Sequence, residues 1–411
     1  MKYVIIGASA SGVNGAENLR RLDPNSEIIM ISQDNYIYSR CILHHFIGDI
    51  RTIPQLSFVP QDFFEKNNIQ WIKGKKVINL DSEKKTLILE DNSTISFDKL
   101  LIASGSSPFI PPIENLRGAN NMIGLKTLED CNLIKILGEK AKNIAVIGGG
   151  LIGIDAITGL IHNKKVTAKL HLIEMSNRLL PLQLDKKASL IYEEKLKENN
   201  VSLYLNHKVS KAILKDKNIT SLILENGDEI PADLVIVATG IKPNIDFLQN
   251  TNIEYDKLGL IFNAKGETNI KDIYGAGDVS GRGPIWSVAV KEAIIATSNM
   301  AGVNKTMDDF FFCKSTMNFF NIPTLSLGSI ELYENDPHMI IDIQEDKNTY
   351  KKIAHKDGYI YGAIIQGDLA YTGILTQIIR LEIDITKIKK SIFDIDYSDF
   401  FTMNKNLEFE F

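Results

Sequence analysis

One unit is written twice along this chain, and no other feature constrains the fold as tightly. KYVIIGASASG (residues 2–12) resembles KNIAVIGGGLIG (142–153). KNNIQWIKGKKV (66–77) resembles ENNVSLYLNHKV (198–209), and TLILEDNSTISFDKLLIASG (86–105) resembles SLILENGDEIPADLVIVATG (221–240). The order is the same in both copies and the spacing nearly so. Two copies at so long a period are a duplicated domain, not a solenoid.

Each copy opens as strand, glycine-rich turn, helix, strand. The pattern predicts strands at Tyr3–Ile6 and Glu27–Ile31 in the first copy, and at Ile144–Ile147 and Lys169–Ile173 in the second. Strand and helix alternating in this way imply a parallel, doubly wound α/β sheet. Each copy then carries an apolar–polar alternation that reads as a small antiparallel meander. The tail beyond about residue 305 matches neither copy. It holds strand-like runs (Thr324–Ile330, Met339–Ile343, Ile360–Ile365) and a helix-like run (Ala370–Leu381), which predict a third, α+β domain. At roughly 150 residues per domain, a 411-residue chain has room for two to three domains.

Composition narrows the function. Apolar residues make up 44% and charged residues 24%, the balance of a globular chain with a full core. The net charge is −5, and only 8 of 46 basic residues are arginine, so nucleic acid is not an expected partner. Three scattered cysteines (Cys41, Cys131, Cys313) form neither a disulfide framework nor a CxxC pair. Four close ligands are needed for an iron–sulfur cluster or an all-cysteine zinc site, so no metal is expected in this chain. The N-terminus runs straight into the first strand and reads as no signal peptide. The longest charge-free apolar run, Ile144 to Ile154, is too short and glycine-rich to span a bilayer. These features predict a cytoplasmic protein in a reducing compartment, with no membrane association.

GGGLIG (148–153) is a complete G-x-G-x-x-G between a strand and a helical pattern. Gly148 makes the tight turn, Gly150 admits a pyrophosphate close to the backbone, and Gly153 lets helix and sheet pack closely. The helix N-terminus adds amides and a positive dipole end. Glu174, at the end of the next strand, can accept hydrogen bonds from a ribose diol and repels a 2′-phosphate. NADH is therefore favoured over NADPH, although the nearby Arg178 keeps NADPH open. GASASG (7–12) is a degenerate copy in which Ser9 replaces the second glycine and Ser32 stands where an acid is usual. A third motif, Ile273-Tyr274-Gly275-Ala276-Gly277-Asp278, ends a strand with an acid able to bind polyol hydroxyls, or with a plain turn aspartate.

GASASG, LLIASGSSP, GGGLIG with Asp155 behind it, LVIVATGIKPN and IYGAGDVS follow one another in this order. Together they resemble the FAD-dependent pyridine nucleotide–disulfide oxidoreductase superfamily over residues 1–304. The resemblance implies two Rossmann-like dinucleotide-binding domains of the FAD/NAD(P)-binding, three-layer ββα type, plus the C-terminal α+β domain. It implies an FAD-binding domain at 1–110 and 241–304, an NAD(P)-binding domain at 111–240, and an interface domain at 305–411. Asp278 would bind the ribityl chain, with Trp286 and Ala289 near the flavin. The same carry-over assigns Gly7, Ser9, Ser11, Gly12, Ser32, Val77, Ser104 and Gly105 to FAD. It assigns Gly148, Gly150, Leu151, Ile152, Gly153, Glu174 and Gly240 to NAD. Asp155 stands where the family usually has Glu, near the nicotinamide.

Asn35-Tyr36-Ile37-Tyr38-Ser39-Arg40 resembles the branch of rubredoxin-, ferredoxin- and nitrite-reductase-type NADH enzymes, in which the arginine contacts the FAD pyrophosphate. The whole chain, with KSTMNFFNIPTLSLG and FDIDYSDFF, also resembles oxidoreductases associated with carbon monoxide dehydrogenase.

SRCILHHFIGD (39–49) reads as a helix with Ile42, Leu43, Phe46 and Ile47 on one face and Cys41, His44, His45 and Gly48 on another. A thiol at a helix N-terminus beside cations has a lowered pKa. In the peroxidase, oxidase and coenzyme A-disulfide reductase branch a single cysteine sits beside the flavin here. Buried cysteines are more often inert. His44 and His45 read as pocket-lining residues rather than metal ligands, and Cys131 and Cys313 as structural. The ending from Phe393, with Asp394, Asp396, Asp399, Phe400 and Phe401, reads as domain packing, with a docking surface as the alternative.

The expected activity is electron transfer between NAD(H) and a small iron–sulfur protein of ferredoxin or rubredoxin type, through FAD, in either direction. One alternative is a Cys41-dependent NADH oxidase, peroxidase or coenzyme A-disulfide reductase. The other is a nucleotide-sensing subunit of a redox complex. The protein would act as a homo-oligomer or as a subunit of a complex.

Overall fold

Tyr3, Val4, Ile5 and Ile6 are all buried, on both faces of their strand. A strand with no polar face must be covered on both sides, and this one is central in a parallel sheet. The order is Ile273–Gly275, Lys99–Ile102, Lys2–Ile6, Glu27–Ile31, Gln70–Ile72. Every neighbouring pair is parallel, and Ile6 stands opposite both Ile31 and Ile102. The first copy thus supplies four strands, and the chain returns after the second copy to add the fifth. The helix Ala10–Leu22 covers one face and packs on the helix Trp286–Met300, with Asn18 Nδ2 donating to Thr297 Oγ1 at 2.9 Å.

The structure is a computed structural model that describes residues 1–307, 314–328, 336–347, 349–400, 402–407 and 409–410. Cys313, Phe401 and the last residues of the Thr324–Ile330 run lie outside the described residues. The chain packs as two units. The first comprises Met1–Gly148, Asp155–Leu170 and Val209–Phe310; the second comprises Gly149–Ile154, His171–Lys208 and Phe311–Phe411.

Besides the five-stranded sheet, the first unit holds Asn143–Ile147 parallel to Leu234–Val237, itself parallel to Met122–Gly124. It also holds both expected meanders, Val77–Asp81/Thr86–Leu89/Thr94–Ser96 and Val209–Lys215/Asn218–Leu224/Glu229–Pro231. Cys131 is fully buried on the helix Leu128–Gly138, as a structural thiol would be.

In the second unit, Lys169–Glu174 runs parallel to Ser202–Leu205 from His171 onward. The tail is the expected α+β domain. Its antiparallel sheet has the order Lys314–Phe319, Ile322–Leu327, Tyr359–Gln366, Tyr350–Lys356, Ile340–Glu345. Leu325, Leu327, Ile353, Ile365, Leu375 and Ile378 form its core, the last two from the helix Thr372–Arg380. Lys314–Phe319 and Tyr350–Lys356 are strands the sequence pattern does not single out, because each mixes polar residues into its alternation. Residues 39–49 differ from expectation too: Arg40–Ile42 is a 3₁₀ turn, and the helix is only Leu43–Ile47.

Candidate functional site

The first glycine turn leaves its residues no room. Gly7 has φ +107°, and a Cβ there would stand 2.0 Å from Ala103 O; one on Gly12 would stand 1.9 Å from Gly7 O. Only glycine permits this approach of strand end and helix start. Ser9 occupies the N-cap position without bonding the helix amides through its side chain. Ser11 Oγ donates to Ala289 O at 3.0 Å, so this hydroxyl ties two helices together. A Cβ on Gly277 (φ +82°) would fall 2.3 Å from Ser11 Oγ. The turn and the Gly-Asp motif, far apart in sequence, are therefore in direct contact.

Asp278 carries two partners at one oxygen: Ser106 Oγ and Lys126 Nζ, each donating to Oδ2 at 2.9 Å. Glu292 Oε2 accepts the Gly277 N–H at 2.7 Å. Burial, augmented by the Asp278 charge, pushes the Glu292 carboxyl up to about 7, against the lowering pull of that amide. Arg40 Nη2 meets Asp34 Oδ2 at 2.7 Å, while Nη1 donates to Tyr38 OH and Lys126 O. Ser32 Oγ donates to Asp34 O and accepts from Trp71 Nε1. Ser104 Oγ donates to Asn244 O, Trp286 packs edge-on against Phe58, and Val77 and Ala289 are buried. A Cβ on Gly105 or Gly240 would meet no atom within 4 Å, although φ of +68° and +123° keeps both positions for glycine. Asp34, Lys126 and Glu292 carry no motif, and Ser106 stands in LLIASGSSP without having been singled out. Only the position of Glu292 one turn beyond Ala289 could have drawn attention to it.

Cys41 is exposed, whereas Leu43 and Ile47 bury the other side of its segment. His44 Nδ1 stands 2.8 Å from Asp155 Oδ1, a contact that lies off hydrogen-bonding geometry. The His44 and His45 rings meet edge-on, their centroids 4.2 Å apart. Burial and the neighbouring His44, Arg51 and His162 lower His45 to about 4, so it is neutral at physiological pH. Burial also raises Asp155, although His44 opposes the shift. For Cys41 the expected lowering is reversed. Although the residue is exposed, loss of water around its thiol and the Asp155 charge push it up, and Ser39 and Lys126 oppose this only in part. The physical reason is local: the thiol sits on a 3₁₀ turn beside a carboxylate, not at the N-terminus of a full helix.

The second glycine turn repeats the first. Within the first unit, Gly148 has φ +109°, and a Cβ would stand 2.4 Å from Ala238 O. Within the second, a Cβ on Gly150 would meet nothing within 4 Å. Leu151, Ile152 and Gly153 begin the helix Leu151–His162. Glu174 is buried; its Oε2 accepts the Gly149 N–H at 2.6 Å and its Oε1 the Ser176 N–H at 2.7 Å. Arg178 is engaged by Leu184 O and Pro181 O.

Residues 1–293 match the description of the pyridine nucleotide-disulphide oxidoreductases, and residues 314–383 that of the rubredoxin NAD+ reductase C-terminal domain. This chain belongs to the pyridine nucleotide-disulphide oxidoreductase family. As a member, it is an NAD(P)H-dependent oxidoreductase of the FAD-using kind. It is 31% identical over 322 residues to the NAD(P)H coenzyme A polysulfide/persulfide reductase of Pyrococcus horikoshii, covering 73% of this chain and 70% of that one. It is 29% identical over 375 residues to the NADH-rubredoxin oxidoreductase of Clostridium acetobutylicum, covering 90% and 92%. The solved structure of that enzyme superposes with a TM-score of 0.75 at 27% identity, over 95% of this chain and 97% of the other. The nitrite reductase [NAD(P)H] of Bacillus subtilis is 26% identical over 395 residues, 95% of this chain; the chain spans 48% of that relative's length.

The residues present fit the family's two nucleotides. Glycine turns end both first strands, space is open at Gly105, Gly150 and Gly240, and acids stand at Glu174 and Asp278. Among the described residues no group of three or more His, Cys, Asp or Glu side chains could hold a metal ion, and no helix is long and apolar enough to cross a membrane.

Proposed function

We propose that this chain moves electrons between NAD(H) and a small iron–sulfur carrier of ferredoxin or rubredoxin type, in the cytoplasm. One observation carries the reading: the family core and a rubredoxin reductase C-terminal domain lie on one chain. A relative named for NADH and rubredoxin matches along nearly its whole length. FAD, when bound, supplies the conversion between a two-electron hydride donor and a one-electron carrier.

In this reading FAD is held by residues 1–110 and 241–304, and NAD(H) by residues 111–240. Gly7 and Gly12 bring backbone amides close to a pyrophosphate. Ser9 offers a hydroxyl, Arg40 a charge fixed in place by Asp34, and Asp278 a carboxylate fixed by Lys126 and Ser106. Gly148, Gly150 and Gly153 do the same for NAD(H), whose adenosine ribose Glu174 would bind. Asp155, raised toward its neutral form, offers a proton-holding oxygen beside His44 Nδ1. Residues 305–411 form the third domain.

The second reading, a Cys41-dependent reductase of oxygen, peroxide or disulfides, draws on the exposure of Cys41 and on the coenzyme A-linked relative. The upward shift of the thiol disfavours it, because the thiolate is the reactive form. An anaerobic titration with NADH separates the two. Uptake of two electrons per flavin, with no thiolate-to-flavin charge-transfer band, supports the carrier reading. Uptake of four, with that band, overturns it.

A further inference from the structure

Asp185 caps the helix Lys186–Glu198, its Oδ1 accepting the Ala188 N–H at 2.8 Å. Its other oxygen takes two donors from the C-terminal sheet, Tyr350 OH at 2.8 Å and Lys352 Nζ at 3.0 Å. All three residues are buried. A lysine ammonium held this far from water needs its counter-charge in place. The same sheet bonds this stretch at further points. Ser326 Oγ donates to Gln183 O, Gln366 Nε2 to Ala188 O, and Tyr192 OH to Ile322 O.

The stretch so held leads back to the second glycine turn. Leu180 is buried with φ +50°, a left-handed conformation that a branched side chain adopts only under constraint. Its N–H donates to Gly149 O at 2.9 Å, and Gly149 N–H donates to Glu174. A Cβ on Gly149 would stand 2.9 Å from the Leu179 side chain. Leu179 N–H in turn donates to Ser189 Oγ on the capped helix. Gly149 is thus bonded to Glu174 and to Leu180, and the adjoining Leu179 to Ser189, whose own N–H donates to Asp185 O; Lys352 anchors the far end.

We infer that Lys352 and Tyr350 of the C-terminal sheet are positioning residues for NAD(H), fixing the 176–185 segment against the nucleotide turn through Asp185. This rests on the reading that residues 148–153 and Glu174 bind NAD(H). It gives the C-terminal sheet a task within the chain, apart from any carrier it meets. The nucleotide class is one with an adenosine ribose and a pyrophosphate, the groups that a glycine turn and an acid at the next strand end would receive.

The test uses the full-length, flavin-loaded protein. Lys352→Met alone strands a buried carboxylate, so it is paired with Asp185→Asn, which keeps the helix cap and removes both charges. Tyr350→Phe, which deletes one bond, is the milder variant. Binding of ADP-ribose is measured by calorimetry, and KM and kcat for NADH with ferricyanide. The double variant is expected to bind ADP-ribose about tenfold more weakly, and Tyr350→Phe about threefold, with KM rising in step. Flavin content and kcat at saturating NADH stay near those of the parent, and Lys352→Arg alone, which keeps a cation beside Asp185, binds ADP-ribose as the parent does. Parent-like affinity for ADP-ribose in folded, flavin-loaded variants overturns the inference alone. Failure of the unaltered protein to bind ADP-ribose overturns the NAD(H) reading and this inference together.

Discussion

The Glu292 carboxylate accepts the Gly277 amide hydrogen at 2.7 Å, one residue before Asp278. A mid-helix glutamate thereby completes the turn that ends in the Gly-Asp motif.

The burial of this carboxyl sets a pH dependence. Burial raises Glu292 from 4.5 to about 7, so folding takes up a proton between these values. Its contribution to stability is greatest below about pH 4.5, falls as pH rises toward 7, and is level above. Glu292→Gln keeps an acceptor for Gly277 and cannot ionise. Thermal unfolding from pH 5 to 8 is expected to show the variant gaining on the parent as pH rises, by roughly 2–3 kcal/mol. A constant difference would refute the assignment.

The two glycines of the second turn are expected to respond differently. Gly150→Ala meets no atom within 4 Å and requires no unusual backbone, so folding and flavin content should be unchanged. The added methyl takes space meant for a pyrophosphate, and KM for NADH should rise about tenfold or more. Gly148→Ala drives a methyl into Ala238 O at φ +109° and should lower the melting temperature itself.

On the proposed reading, Glu174 sets the choice of nucleotide. Glu174→Ser removes the charge that repels a 2′-phosphate, and the preference for NADH over NADPH, as a ratio of kcat/KM, should drop about tenfold. An unchanged ratio would place the ribose elsewhere.

Cys41→Ser should reduce ferricyanide with NADH at a rate within about twofold of the parent, since a raised thiol pKa leaves little thiolate near neutrality. Loss of that activity would return the sulfur-based reading to first place.

Much of this was legible in the sequence for an identifiable reason. Gly7, Gly12 and Gly148 are forced by close backbone approach, and a duplicated strand–turn–helix pattern admits few folds. Lys352 was not legible. In YKKIAHK it reads as a solvated lysine, and its burial depends on Asp185, 167 residues away. Glu292 was hidden likewise, because its partner is a backbone amide that only the fold delivers. The sequence singled out Arg40 by its motif, but its clamp by Asp34 and Tyr38 was not legible. The Cys41 segment misled by its spacing: i, i+3, i+4 continuity means a shared helical face only where a helix runs, and here it begins at Leu43.

The most direct test mixes NADH-reduced, flavin-loaded protein anaerobically with oxidised rubredoxin or with a small ferredoxin, and follows flavin and carrier together. The account predicts that the flavin reoxidises as about two carriers are reduced for each one. A flavin that stays reduced in the presence of both carriers, yet is reoxidised by oxygen, peroxide or coenzyme A disulfide, would contradict it.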